Sequence, residues 1–222
     1  MLVWGEKASG LGWQLIREMS LERIYLTTVV CLVALSVGGC GSLNSIAGGN
    51  TVKDARQKLV WSYEKESIVV IAESQRKLNQ FSGDSHTLAI LIVQTKDMNQ
   101  LTKINTDQIA LGRILSGEGD SSLLAVDRFF LAPSCKKTYI VDRAQDAQYV
   151  GVFAGYFEKP SKGFGKFFEI GTEILKDGKV VKTYTVKPKK LIVKMGFGAG
   201  AIDRQEMLAA DFVYESKDVC VQ

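Results

Sequence analysis

The chain has 222 residues, of which 46% are hydrophobic and 23% are charged, and its formal net charge is +4 at pH 7. This length is sufficient for one domain with a hydrophobic core. Because the positive balance is small and the basic residues do not cluster with stacking aromatics, nucleic-acid binding is not expected.

An uncharged apolar run, Ile24–Val37, lies near the N-terminus. It is shorter than the ~20 residues that a membrane-spanning helix needs, and it fits the apolar core of a secretion signal. It leads into Val37-Gly38-Gly39-Cys40, which resembles the lipobox of bacterial lipoproteins. The alternative is a buried apolar helix that ends in Gly-Gly-Cys. The resemblance implies cleavage before Cys40 and lipid attachment to that cysteine.

Residues 1–39 are therefore predicted to be a signal peptide, and residues 40–65 a lipid-anchored tether. The segment before the apolar run is longer than the n-region of a usual signal peptide and contains acidic residues. A start at Met19 would remove the first 18 residues and leave a more usual n-region. A genuine amphipathic extension is the alternative. Gly41 follows the cysteine, where an Asp would retain an enterobacterial lipoprotein in the inner membrane. The resemblance thus implies an outer-membrane protein on the periplasmic face.

The first predicted strands follow a Gly-, Ser- and Asn-rich linker, residues 41–50, and a weak helical pattern within residues 51–65. The run Ser67–Ala72 is rich in β-branched residues and predicts a strand. The segment 86–95 predicts a second strand that is apolar enough to be central. Residues 73–85 between them form a long polar connection.

Apolar residues then recur at helical spacing over residues 96–127, where we expect two or three short helices. Asn105, Thr106 and Asp107 offer helix N-caps, and Gly117-Glu118-Gly119-Asp120 breaks the pattern. Strand patterns return after this insert, and Asp177-Gly178 is a strong hairpin signal. Seven or eight strands joined by short turns predict an antiparallel β-sandwich over residues 66–196, followed by a C-terminal tail, 197–222.

Two cysteines, Cys135 and Cys220, remain after the predicted processing and lipidation. A disulfide is the natural interpretation for a pair in an oxidising compartment. Two separate buried thiols are the alternative, since the sequence alone does not place their side chains together.

Residues with catalytic or metal-binding chemistry are sparse. The single histidine, His86, has no surrounding cluster of cysteines or carboxylates. The glycine-rich segment after Met195 lacks the strand–helix context of a nucleotide loop. We therefore expect a binding protein with no catalytic residues, metal or cofactor.

The order of the elements now supports a resemblance. It is carried by Ser67–Ala72, Leu78-Asn79 with Gly83, Leu88–Gln94, a helical insert, Phe130–Pro133 and Ala147–Phe157. This arrangement resembles the TssJ family, the outer-membrane lipoproteins of the type VI secretion system. The resemblance implies a transthyretin-like β-sandwich with a helical insert after the second strand. It also implies binding to the periplasmic region of TssM, an inner-membrane protein, through the loop between the first two strands.

Carried over to this chain, the partner-binding loop is Gln75–Ser85. Its predicted contact residues are Arg76, Lys77, Leu78, Asn79 and Phe81. The alternative is that the two apolar side chains pack back onto the sandwich edge. Two departures from the family bear on individual contacts. The loop ends in Gly83-Asp84-Ser85 where many members have Gly-Arg-Pro, and no Trp-Arg pair follows Tyr156-Phe157.

The sequence is consistent with two classes of function. The first is a structural anchor in a secretion machine. The second is a lipid-anchored periplasmic ligand carrier or a pilotin-like assembly chaperone, in which the sandwich would bind a small molecule or a peptide.

The Cys40→Ser variant tests the lipid anchor. We expect the unaltered protein to incorporate labelled palmitate and to fractionate with the outer membrane, and the variant to do neither, because the acyl chains supply the membrane affinity. Unlabelled wild-type protein, together with a variant that still partitions into the outer membrane, would show that Cys40 is not the lipid site.

Overall fold

The computed structural model describes residues 51–161, 163–178 and 182–221. The predicted signal peptide and Cys40 lie outside the described residues. The helices are α1 (Val52–Gln57), α2 (Met98–Thr106) and α3 (Gln108–Ser116). The strands are β1 (Glu64–Ser74), β2 (Leu88–Thr95), β3 (Ala125–Leu131), β4 (Cys135–Arg143), β5 (Tyr149–Ala154), β6 (Gly165–Glu169), β7 (Thr172–Asp177), β8 (Thr183–Pro188), β9 (Leu191–Phe197), β10 (Ile202–Leu208) and β11 (Val219–Cys220).

Two sheets pack face to face and a small third sheet extends from them. The first sheet has the strand order β10-β9-β1-β4-β11, and the second has the order β3-β2-β5-β6. Strands β7 and β8 pair only with each other. The predicted mainly β sandwich with a helical insert after the second strand is confirmed. One pairing, β1 with β9, is parallel, whereas the other pairs are antiparallel.

The core lies between the inner faces of the two sheets. Alternate residues of β1, β2, β5 and β9 point into it, as the period of a β-strand requires. The buried members from these four strands are Ile68, Val70, Ala72, Leu88, Ile90, Ile92, Val150, Val152, Ala154, Leu191, Val193, Met195 and Phe197. β1 and β2 are also buried on their outer faces, which explains why both segments read as continuous apolar runs.

The helical insert covers the outer face of the four-stranded sheet. Leu101 and Ile104 of α2 and Leu111 of α3 pack against Leu91 and Phe153 of the sheet. The predicted Asp107 cap is confirmed, because its carboxylate accepts hydrogen bonds from the first turn of α3. The helix ends at a left-handed Gly117. The insert is shorter than predicted, since β3 already begins at Ala125.

The segment predicted as a C-terminal tail contributes to the five-stranded sheet. β10 pairs antiparallel with β9, and β11 pairs with the start of β4. Glu73 of β1 supports this edge through ion pairs with Lys136 (3.7 Å), Lys194 (3.0 Å) and Arg204 (3.2 Å). β10 was not predicted, because its side chains are mostly exposed and its sequence lacks the alternation of apolar and polar residues typical of a strand.

The part of the predicted tether from residue 51 onward is folded. Thr51 caps α1 by accepting a hydrogen bond from the Asp54 amide, and Ala55 of the helix is completely buried. Trp61 then packs against the sandwich core before β1 begins at Glu64. The predicted linker, residues 41–50, lies outside the described residues.

β7 and β8 form a two-stranded arm, for which Asp177-Gly178 gave the turn signal. Ile174 pairs with Val186 and Glu173 pairs with Lys187 along its length. Val186 is 4% exposed although the arm has only two strands. The face that carries Val186 is covered, and α1 is the helix that packs against β8.

Strand register defines two opposite ends of the sandwich. The start of β1 lies beside the end of β4, where Glu64 pairs with Arg143, and the base of the β7–β8 arm lies at this same end, because Leu191 pairs with Ile68. We call it the tether end. The other end, where β1 finishes at Ser74, is the loop end. The eleven residues of β1 span roughly 35 Å at 3.3 Å per residue, which sets the distance between the two ends.

A disulfide joins Cys135 of β4 to Cys220 of β11, 85 residues apart. The two cysteines are cross-strand partners in the β4–β11 pairing. This bond attaches the last described strand to the loop end.

Replacing Cys220 by Ser should lower the free energy of unfolding by about 2–5 kcal/mol, because the cross-link no longer restricts the unfolded chain. Denaturant unfolding measures the change. Reductant should lower wild-type stability to the level of the variant and leave the Cys135→Ser/Cys220→Ser double variant unchanged. Insensitivity of the wild type to reductant, with two alkylatable thiols in the purified protein, would contradict the pairing.

Candidate functional site

The loop Gln75–Ser85 is held at both flanks by backbone hydrogen bonds at the loop end. The Asn79 amide donates to the Gly198 carbonyl (3.3 Å) and the Gln80 amide to the Ala199 carbonyl (2.7 Å). The His86 amide donates to the Leu78 carbonyl (3.0 Å). A loop with this many internal partners presents its tip in a defined orientation.

Leu78 and Asn79 are buried, although both were predicted to contact the partner. Leu78 is 0% exposed and belongs to the core between the sheets, and Asn79 is 3% exposed. The alternative that the apolar side chain packs back onto the sandwich therefore holds for Leu78. Neither residue is available for direct contact with a partner, and both act as internal anchors of the loop.

Asn79 connects the loop to two neighbouring segments. Its side-chain Nδ2 donates to the Thr87 carbonyl (3.2 Å), and its Oδ1 accepts from the Phe157 amide (3.0 Å). Its φ is +45°, in the left-handed region that asparagine tolerates better than most residues. One buried side chain thus fixes the loop after β1 against the segment that follows β5.

The tip of the loop is a tight turn over residues 81–84. Phe81 and Asp84 exchange backbone hydrogen bonds of 3.0 and 3.1 Å, and the two central residues, Ser82 and Gly83, both have positive φ. Two positive φ values define a type I′ turn, in which glycine at the second position is strongly favoured. Gly83 occupies that second position.

An aromatic cluster stands on this turn. Phe81 stacks on Phe157 with ring centroids 5.1 Å apart, and His86 contacts the edge of Phe157 at 5.0 Å. The two phenylalanines are 51% and 52% exposed. Phe157 was missed as a site residue because the sequence pattern extended β5 through it, whereas β5 ends at Ala154.

Two basic residues of the loop, Arg76 and Lys77, are exposed. Arg76 borders an open groove of about 420 Å³ that includes Ser134, Lys136 and Val219. The aromatic pair is a separate feature of the loop, and two half-exposed stacked rings suit a protein partner better than a small ligand.

Tyr156 is a buried titratable residue beside the loop. Burial, together with the nearby Asp203 carboxylate, raises the pKa of the Tyr156 hydroxyl, which stays protonated at neutral pH. In the residues that the structure describes, no three His, Cys, Asp or Glu side chains come together as a metal site. None of the described helices combines the length and apolar character needed to cross a bilayer.

A protein-family model matches part of this chain. The family model of type VI secretion lipoproteins, which include VasD, EvfM and TssJ, matches residues 66–173, just under half of the chain. This region contains most of β1, β2 to β6, the loop and the helical insert. Over this region the chain resembles the TssJ lipoproteins. The search of curated proteins returned no match.

Three solved structures are similar in part. Lip from Serratia marcescens, a membrane-bound component of the type VI secretion system, is 18% identical with a TM-score of 0.45, over 67% of this chain and 98% of Lip. TssJ1 from Pseudomonas aeruginosa is 16% identical with a TM-score of 0.44, over 67% and 97%. A structure of the TssM C-terminal domain from EAEC matches with 16% identity and a TM-score of 0.41, over 64% and 97%.

Leu78→Ala should lower the free energy of unfolding by about 2–5 kcal/mol, because it leaves a cavity in the sandwich core. Leu175→Ala is the matched control, since Leu175 is 44% exposed on the β7–β8 arm and its loss should cost less than about 1 kcal/mol. Urea unfolding of both variants measures the difference. Equal stabilities would show that Leu78 is not a core residue.

Proposed function

We propose that this chain is an outer-membrane lipoprotein that anchors a type VI secretion membrane complex by binding the periplasmic part of a TssM-like inner-membrane protein. The observation that carries the proposal is the aromatic surface of Phe81 and Phe157, presented by a rigid loop within the region that matches the family model. Lipid attachment at Cys40 is the second part of the proposal.

The loop has the features of a protein-binding surface. Aromatic side chains are enriched among the residues that dominate protein interfaces, and here the half-exposed rings of Phe81 and Phe157 stack on each other. The buried anchors Leu78 and Asn79 order the loop before binding, so less conformational entropy is lost when a partner docks.

The two ends of the sandwich suit an anchor. The described chain begins at residue 51 and reaches the tether end of the sandwich through α1, whereas the loop lies at the opposite end of β1. A protein held to the membrane by its N-terminal segment would therefore present Phe81 and Phe157 away from the lipid surface. A partner that crosses the periplasm from the inner membrane would meet this end first.

Phe81→Ala should weaken binding to the periplasmic domain of the TssM-like protein by about 1–3 kcal/mol, the range of an anchor residue at an interface. Its effect on folding should be below about 1.5 kcal/mol, since it removes one exposed ring contact. Isothermal titration and a thermal melt measure the two quantities.

Phe212→Ala provides the matched control. Phe212 is 45% exposed and follows β10, which ends at the tether end, so its loss should leave affinity unchanged. If Phe81→Ala and Phe212→Ala both bind as wild type does, the loop is not the interface. If the unaltered protein does not bind the TssM-like domain at all, the anchoring role is wrong and the carrier or chaperone role takes its place.

A further inference from the structure

The β7–β8 arm is the most basic segment of the chain. Residues 172–190 contain six lysines and two acids, a balance of +4, which equals the formal net charge of the whole chain. The two acids are engaged within the arm. Glu173 pairs with Lys187 at 3.0 Å, and the Asp177 carboxylate accepts the Gly178 amide at 2.7 Å. Positive charge therefore predominates on this arm.

Three lysines of the arm face solvent, and apolar side chains lie between them. Lys176, Lys182 and Lys189 are exposed. Ile174 and Leu175 are 43% and 44% exposed, and as consecutive strand residues they point to opposite faces of the arm. Ile174 shares the covered face with its cross-strand partner Val186, so Leu175 on the opposite face is the apolar side chain that is free to accompany the lysines at a lipid surface.

Helix α1 extends the same basic surface. It packs against β8, and its Lys53 and Arg56 are exposed while Ala55 is buried. We define the basic arm as α1, β7 and β8 with the adjoining Lys182 and Lys189. The whole basic arm lies at the tether end of the sandwich.

The tether keeps the basic arm close to the membrane. Ten residues, 41–50, separate Cys40 from the Thr51 cap of α1. Ten residues of fully extended chain reach at most about 35 Å, which bounds the distance between Cys40 and Thr51. Charges this close to a bilayer repeatedly enter the ~8 Å over which an anionic surface acts at physiological salt.

We propose that the basic arm binds anionic phospholipid headgroups of the membrane that carries the lipid anchor, and that this second contact sets the orientation of the sandwich. The inference rests on lipid attachment at Cys40 and goes beyond it. Each lysine near an anionic surface strengthens binding about fivefold. Three lysines together would contribute roughly a hundredfold, enough to bias a tethered domain toward one orientation.

Vesicle flotation and hydrogen exchange on the protein isolated from membranes test the contact. The protein is reconstituted into vesicles of phosphatidylcholine alone and into vesicles with about one third phosphatidylglycerol. We expect amides of residues 172–178 and 183–188 to exchange several-fold more slowly in the anionic vesicles, and 0.5 M salt to remove the difference because the charges are then screened.

The variant Lys176→Gln/Lys182→Gln/Lys189→Gln should lose this protection in anionic vesicles. The matched control, Lys96→Gln/Lys103→Gln/Lys159→Gln, removes three exposed lysines outside the basic arm, and it should keep the protection. Both triple variants should melt at the wild-type temperature, since all six side chains lie on the surface.

Two results would overturn the inference and are distinguishable. If the protein floats with both vesicle types and the arm exchanges equally in both, the anchor is present and the basic arm does not touch lipid. If the protein floats with neither type, Cys40 is not acylated, and the proposed anchor fails together with the proximity on which the arm depends. Loss of TssM-like binding alone would affect neither result.

Discussion

Strand β1 is buried on both faces, and this constraint positions the rest of the molecule. Its inward residues, among them Ile68 and Val70, meet the opposite sheet, and its outward Val69 and Ile71 pack with Leu208 and other residues of the five-stranded sheet. A shift of one residue would exchange the two faces, so the register is strongly specified. β4 pairs antiparallel on one side and β9 pairs parallel on the other. The tether end and the loop end are the two ends of this one strand.

The parts of the fold that sequence analysis found are those with a local signal. β1 and β2 are continuous apolar runs because both faces are covered, and the α3 cap and the Asp177-Gly178 turn depend on chemistry within a few residues. β10 and β11 lack such signals. β10 is a largely exposed edge strand, and β11 has two residues that pair with β4 through Cys220. Both depend on contacts between residues far apart in sequence.

The candidate site shows the same limit at the level of single residues. Leu78 and Phe81 are two apolar residues in one polar segment, and nothing within the segment distinguishes them. The structure separates them because hydrogen bonds to Gly198 and Ala199 pull the first part of the loop onto the sandwich, while the type I′ turn lifts Phe81 outward. Phe157 joins the site through the Asn79 side chain, 78 residues away. Only the fold could supply that neighbour.

The course of β1 also determines how mechanical tension would pass through the molecule. In the proposed role, the membrane holds the chain before α1 and the partner holds Phe81, so both points of attachment flank the same strand. Tension between them would run along the covalent backbone of β1, and the hydrogen bonds to β4 and β9 would be loaded in shear, many at once, rather than opened one after another. Such a coupling would transmit force between two membranes without requiring the sandwich itself to resist unzipping.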